Sequence, residues 1–129
     1  MRTTVDQLLV EARAELTRLT PAEAERAARD GAALVDIRSD SQRARDGVLP
    51  GAKHISRNVL EWRLDPSCEH RDHELTRLGL QVILICDQGY QSSLAAATLR
   101  RFGVDATDVH GGFQAWRAVG LPVAGRGER

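Results

Sequence analysis

The hydrophobic positions change period several times along the chain, and each change marks an element. Val5, Leu8, Leu9, Ala12, Leu16 and Leu19 recur at helical spacing with charges opposite, which predicts an amphipathic first helix over residues 5–18. Thr20-Pro21-Ala22-Glu23 reads as a helix start, with Thr20 as cap, Pro21 in the first position and Glu23 and Glu25 in the first turn. That second helix stops near Asp30-Gly31, and the apolar run from Ala32 to Ile37 predicts a short buried strand. Ser39 or Asp40 caps a brief helix through Arg45, closed by Asp46-Gly47. A turn over Val48–Ala52 leads to a short strand, Lys53-His54-Ile55.

Residues 56–80 carry a mixed pattern. A short helix is expected at Asn58–Leu64, then a polar loop through Pro66, Cys68, His70 and His73, then one helical turn at Glu74–Leu78 ended by Gly79. Val82–Ile85 is a continuous apolar strand followed, after a turn, by a helix from Ser93 to Phe102. Ala106–Val109 reads as the last strand, and Gly111-Gly112 leads into a helix over Phe113–Val119, ended by Gly120-Leu121-Pro122. Short strands alternating with helices imply an α/β fold, an open parallel sheet flanked by helices. The expected organisation is an extra N-terminal helix in residues 1–19, one domain over 20–124 and a flexible tail at 125–129.

Composition narrows the function classes. The chain has 129 residues, enough for one buried core, and 18 basic against 18 acidic side chains. That balance gives no global field toward nucleic acid or an anionic membrane. The longest apolar run is too short to span a bilayer, and residues 1–20 are charged throughout, so neither a membrane span nor a secretory signal is expected. Two cysteines in unlike contexts, Cys68 and Cys86, suit a reducing cytoplasm rather than a disulfide framework. With four histidines they show none of the paired spacings of a zinc site, so no metal is expected.

The candidate chemistry lies at Cys86. It ends the apolar strand and is followed by Asp87-Gln88-Gly89-Tyr90-Gln91-Ser92 and a helix. A strand, a Gly-bearing turn and a helix start place the sulfur beneath unpaired backbone N–H groups, where an anion is favoured. Alone, a cysteine at a strand end reads as a small core residue; this loop makes it a nucleophile. Gly89 supplies a backbone conformation that a side chain would obstruct, and Ser92 is expected to cap the helix and turn its hydroxyl toward the sulfur.

Four segments together resemble the rhodanese-like (sulfurtransferase) domain, from about Thr20 to Val123. They are Leu34-Val35-Asp36-Ile37-Arg38, the run Gly47–Ile55, the loop Cys86–Ser92, and Gly111–Trp116 with Gly120–Val123. The resemblance implies two half-reactions and no cofactor. Cys86 takes a sulfane sulfur from a donor such as thiosulfate, forming a persulfide, and passes it to cyanide, a thiol or a sulfur-relay protein. Asp87, Gln88, Gly89, Tyr90, Gln91 and Ser92 would surround the transferred sulfur. Arg38 would add positive potential at the mouth, or else form a structural pair with Asp36. His54 reads as a hydrogen-bonded structural residue.

Two positions depart from the family pattern. Gln91 stands where an Arg often sits, and Asp87 puts a carboxylate beside the nucleophile. Gln91 weakens the hold on an anionic donor and Asp87 disfavours the thiolate, so both argue against rapid turnover of thiosulfate and point to a less anionic persulfide donor. The missing Arg also argues against phosphatase or arsenate chemistry on a related loop. A binding or redox-sensing module is the alternative. Tyr90 is expected at the pocket rim, Trp62 either in the pocket or packed, Phe113 and Trp116 as core anchors, and Cys68 as a surface thiol or a resolving partner. The first helix is expected to dock on the outer face of the sheet or to form a dimer contact.

Overall fold

The computed structural model describes residues 2–125; the expected tail lies, from residue 126 on, outside the described residues. In chain order the elements are α1 (Val5–Ala14), α2 (Pro21–Arg29), β1 (Ala33–Asp36), α3 (Asp40–Asp46), β2 (Lys53–His54), a 3-10 turn (Arg57–Val59) running into α4 (Leu60–Leu64), β3 (Gln81–Ile85), α5 (Gln91–Arg101), β4 (Asp105–Asp108) and α6 (Gly112–Ala118). The strands form one parallel sheet in the order β2-β1-β3-β4. Three helix starts carry reciprocal capping boxes, Thr4 with Gln7, Thr20 with Glu23 and Ser39 with Gln42. Each satisfies two donors that the first helical turn leaves without a partner.

The register brings chemistry to one edge. Asp36 lies opposite both His54 and Ile85, and Leu84 lies opposite Asp108, so the strands end together. Cys86 follows Ile85 directly at that carboxyl edge, where open α/β sheets place their ligands. The two faces of β3 feed two cores. Val82 and Leu84 pack with Leu60, Leu64, Ala96 and Leu99, while Ile83 and Ile85 pack with Ala24, Phe113 and Trp116. Phe113 and Trp116 are the core anchors the sequence implied.

Three local expectations need correction. The first helix ends at Ala14 rather than near residue 18. The following segment is drawn out along the sheet instead: Leu19 N–H donates to the Asp108 carbonyl at 3.0 Å, and His110 N–H donates to the Leu19 carbonyl at 2.8 Å. Tertiary pairing thus outweighs the helical periodicity of Leu16 and Leu19. Helix α1 docks on α5, which already covers that face of the sheet, burying Leu9 and Ala12. Finally, the helical turn expected at Glu74–Leu78 lies slightly earlier, over residues 73–76, where Thr76 N–H donates to the Asp72 carbonyl at 3.1 Å. The buried Asp72 leads it, its Oδ1 accepting the N–H groups of Glu74 and Leu75 at 3.0 Å.

Asp72 also faces Lys53 Nζ. Burial pushes its carboxyl up, but Lys53 and those N–H groups more than reverse this and hold it below the usual carboxylate range. A carboxyl lowered on folding stabilises the fold above its unfolded pKa of about 4, and that share is lost as the pH falls through the lower folded value. The stability difference between wild type and Asp72→Asn is therefore expected to be full at neutral pH and to shrink below about pH 4. Thermal unfolding across pH checks this; a constant difference would contradict it.

Candidate functional site

Cys86 sits where β3 gives way to α5, 5% exposed, at the floor of an open cavity of about 690 Å³. Its sulfur accepts the N–H of Gly89 at 3.2 Å and of Ser92 at 3.3 Å. These are donors of the turn and of the first turn of α5, so the sulfur itself fills the place of a helix cap. The expected side-chain cap from Ser92 is not formed: α5 starts at Gln91 behind Tyr90, and Ser92 lies inside the helix. Its hydroxyl does reach the sulfur, with Sγ–H donating to Ser92 Oγ at 3.2 Å.

Gly89 meets the reason given for it. Its φ is +86°, and a Cβ there would stand 2.7 Å from the backbone N of Gly111. Gly112 is equally constrained, since its Cβ would lie 2.6 Å from the Cys86 carbonyl oxygen. That closeness lets the start of α6 brace the loop: Phe113 N–H donates to the Cys86 carbonyl at 2.8 Å and Gln114 N–H to that of Asp87 at 3.0 Å.

Beneath the thiol lies a network that sequence reading missed. Ser92 Oγ donates to Asp108 Oδ2 at 2.7 Å, and Ser93 Oγ donates to the same oxygen at 2.8 Å. Asp108 is fully buried and is gripped by Arg18, with Nε on Oδ1 at 2.8 Å and a terminal nitrogen on Oδ2 at 3.1 Å. Arg18 and Arg13 both donate to the Gly89 carbonyl, at 2.9 and 2.8 Å. A hydroxyl has one proton to give. Ser92 gives it to Asp108, so in the thiol form its oxygen accepts from the sulfur rather than donating to it. The resulting chain, Cys86 to Ser92 to Asp108 to Arg18, joins the loop to residues ahead of α2. An aspartate closing a short strand carries no motif, and Arg18 lies 90 residues away in sequence; its place in register beside the cysteine strand was the one available signal.

The other expected residues divide into wall and support. Arg38, Cys86, Asp87, Gln88, Tyr90 and Gln91 line the cavity; Gly89, Ser92, Asp36 and His54 do not. Arg38 takes the structural alternative. Its side chain is fully buried, bound to Asp36 at 2.9 and 3.1 Å and to the Gly47 carbonyl at 2.9 Å, with its guanidinium 3.8 Å from the centre of the Phe113 ring. Asp36 offsets the charge of this guanidinium, while its Nη1 is buried with no hydrogen-bond partner among the described residues. His54 Nε2 bonds the Arg38 carbonyl at 2.9 Å, a structural contact as expected.

Asp87 is held by Gln114 Nε2 at 2.9 Å. Gln114 also donates to Asp46, and the hydrogen bond from Arg45 holds Asp46 below the usual carboxylate range. Tyr90 lies half exposed at the rim beneath Arg13, whose Cζ is 5.6 Å from the ring centre. Trp62 takes neither expected place: it is 56% exposed and does not line the cavity. Both cysteines are free thiols, and Cys68 is half-buried outside the cavity. Among the described residues, no cluster of three or more His, Cys, Asp or Glu is arranged for a metal ion, and no helix is long and apolar enough to cross a membrane.

A parallel sheet ending in a cysteine loop that wraps its sulfur in backbone donors defines an anion-binding thiol site. The chain belongs to the rhodanese-like domain family, whose model matches residues 20–119. It is similar to the thiosulfate sulfurtransferase GlpE of Ectopseudomonas mendocina, 32% identical over 106 residues that cover 81% of this chain and 88% of that protein. Among solved structures, a protein of unknown function from Rhodopseudomonas palustris, described as a possible tyrosine phosphatase, superposes with a TM-score of 0.87 at 29% identity, covering 95% of this chain and 96% of that one. The polysulfide-sulfur transferase homodimer of Wolinella succinogenes gives 0.68 at 25% identity, covering 94% and 87%. The family match begins after Arg13 and Arg18, so both arginines that hold the Gly89 carbonyl lie outside it.

Proposed function

We propose that the protein is a sulfurtransferase that carries a sulfane sulfur as a persulfide on Cys86. The Cys86 thiolate attacks the outer sulfur of thiosulfate; the S–S bond of the donor breaks, and sulfite leaves with the electron pair. Cyanide or a thiol, free or on a sulfur-relay protein, then attacks the terminal sulfur and restores the thiolate. Electrons balance without an added oxidant, and no cofactor takes part. The observation that carries this reading is the convergence of the Gly89 and Ser92 N–H groups on the Cys86 sulfur at the floor of the cavity. Fixed donors of this kind stabilise an anionic sulfur without reorganising. The sulfurtransferase relatives support the same reading.

Residues 20–124 form the catalytic unit in this proposal, and the segment before them acts as a brace through Arg13 and Arg18. Two free thiols and a persulfide intermediate suit a reducing compartment such as the cytoplasm. A phosphatase reading lacks its main requirement, because Gln91 occupies the place of a clamping arginine and Arg38 is committed to Asp36. The neutral Gln91 does favour a second reading, a weakly active redox-sensing module built on the same thiol.

Thiosulfate labelled in its outer sulfur separates these readings. The expected result is one labelled sulfur per chain, released as labelled thiocyanate by cyanide. Label that never enters the protein, or thiocyanate formed without a labelled protein, would count against the persulfide route.

A further inference from the structure

The cavity has two walls, and only one belongs to the cysteine loop. The other is built by Ser39 and Gln42 at the start of α3 and by Ser56, Arg57 and Asn58 at the turn before α4. Three charged side chains line the whole cavity: Arg38, Asp87 and Arg57. Arg38 is bound to Asp36 and Asp87 to Gln114. Among the described residues the Arg57 side chain is held only by Glu61, one helical turn on, at 2.8 Å, and both side chains remain partly exposed. This single, partly exposed pair within one helical turn leaves Arg57 open to competition, so a ligand carboxylate can exchange with Glu61. Besides Ile37 and the Cys86 sulfur, the remaining lining consists of neutral hydroxyls and amides, with the Tyr90 ring at the rim. A cavity of about 690 Å³ is the size that encloses a small organic molecule, far more than a sulfur oxyanion fills.

We propose that this second wall is a donor subsite for an alkyl persulfide bearing a carboxylate, with Arg57 as its anchor. Arg57 thereby supplies, from another segment, the cation that the loop lacks at Gln91. The proposal rests on the sulfur-transfer reading and names its substrate class. The Cys86 thiolate attacks the outer sulfur of the donor, R–S–SH; the donor S–S bond breaks, and R–S⁻ leaves with the electron pair. The outer sulfur keeps its proton, giving Cys86–S–SH, so charge and electrons balance without a further reagent. Arg57 holds the carboxylate of R while the loop, which carries no cation of its own, receives the protonated outer sulfur.

The persulfides of 3-mercaptopropionate and of its amide share their sulfur chemistry and differ by one charge. Wild type is expected to show a KM about tenfold lower for the acid, with similar kcat. Arg57→Gln should raise the KM of the acid to that of the amide and leave the amide unchanged, and Arg57→Lys should recover part of the difference. Equal KM values in wild type, or discrimination that survives Arg57→Gln, would overturn the subsite. If neither persulfide nor thiosulfate loads Cys86, the sulfur-transfer reading fails, and the subsite is decided by binding alone. NMR titration of Cys86→Ala with 3-mercaptopropionate and with its amide then reads it. Preference for the acid, lost on Arg57→Gln, supports the subsite; equal binding overturns it.

Discussion

Replacing Asp108 by asparagine is expected to make Cys86 more reactive and the fold less stable. Asp108 accepts the only proton Ser92 can donate, and it is a negative charge one hydroxyl away from the sulfur. An amide removes that charge and loosens its hold on Ser92, leaving the hydroxyl free to turn and donate to an anionic sulfur. Alkylation of Cys86 at neutral pH should accelerate about tenfold, the effect of one hydrogen bond to a charged group. The same change leaves Arg18 with a poorer partner in a buried network, at a cost of about 2–4 kcal/mol. Alkylation kinetics and denaturant unfolding on one pair of proteins read both effects. Unchanged or slower alkylation in a folded variant would show that Asp108 does not restrain the thiol. Asp108 thus trades thiol reactivity for stability.

Asp36→Ala is expected to cost about 3–5 kcal/mol, because it strands the Arg38 guanidinium in the interior without its carboxylate. Arg43, 3.4 Å from the same carboxylate, loses a partner too. A double variant, Asp36→Leu with Arg38→Met, removes both charges together and should recover much of that loss. It also tests what Arg38 does. If Arg38 only pins the strand end, the double variant keeps the wild-type KM for sulfur donors; a KM raised tenfold would return Arg38 to the donor site. Denaturant midpoints and steady-state kinetics separate the two outcomes.

Local signals carried most of the architecture. Thr20-Pro21 with Glu23 marks the start of α2 because cap, proline and returning carboxylate are all encoded within four residues. The strand ahead of Cys86 was legible because parallel strands buried on both faces read as continuous apolar runs. The sulfur's N–H donors followed from that strand, the glycine and the helix start. What stayed hidden depends on partners distant in the chain. Leu16 and Leu19 keep helical spacing, yet the edge beyond β4 draws the chain straight. Ser92 looks like a cap, yet α5 starts one residue earlier and its hydroxyl turns inward to donate to Asp108. Arg57 belongs to no motif in the sequence, and only the fold sets it in the wall of the cysteine's cavity.

The persulfide is tested most directly by the intact mass of the protein after incubation with thiosulfate, and separately with an alkyl persulfide, beside Cys86→Ser. The expected result is one added sulfur on the wild type alone, removed again by cyanide. A wild type that gains no sulfur from either donor while Cys86 stays alkylatable, or a Cys86→Ser variant that gains the same sulfur, would contradict persulfide carriage on Cys86.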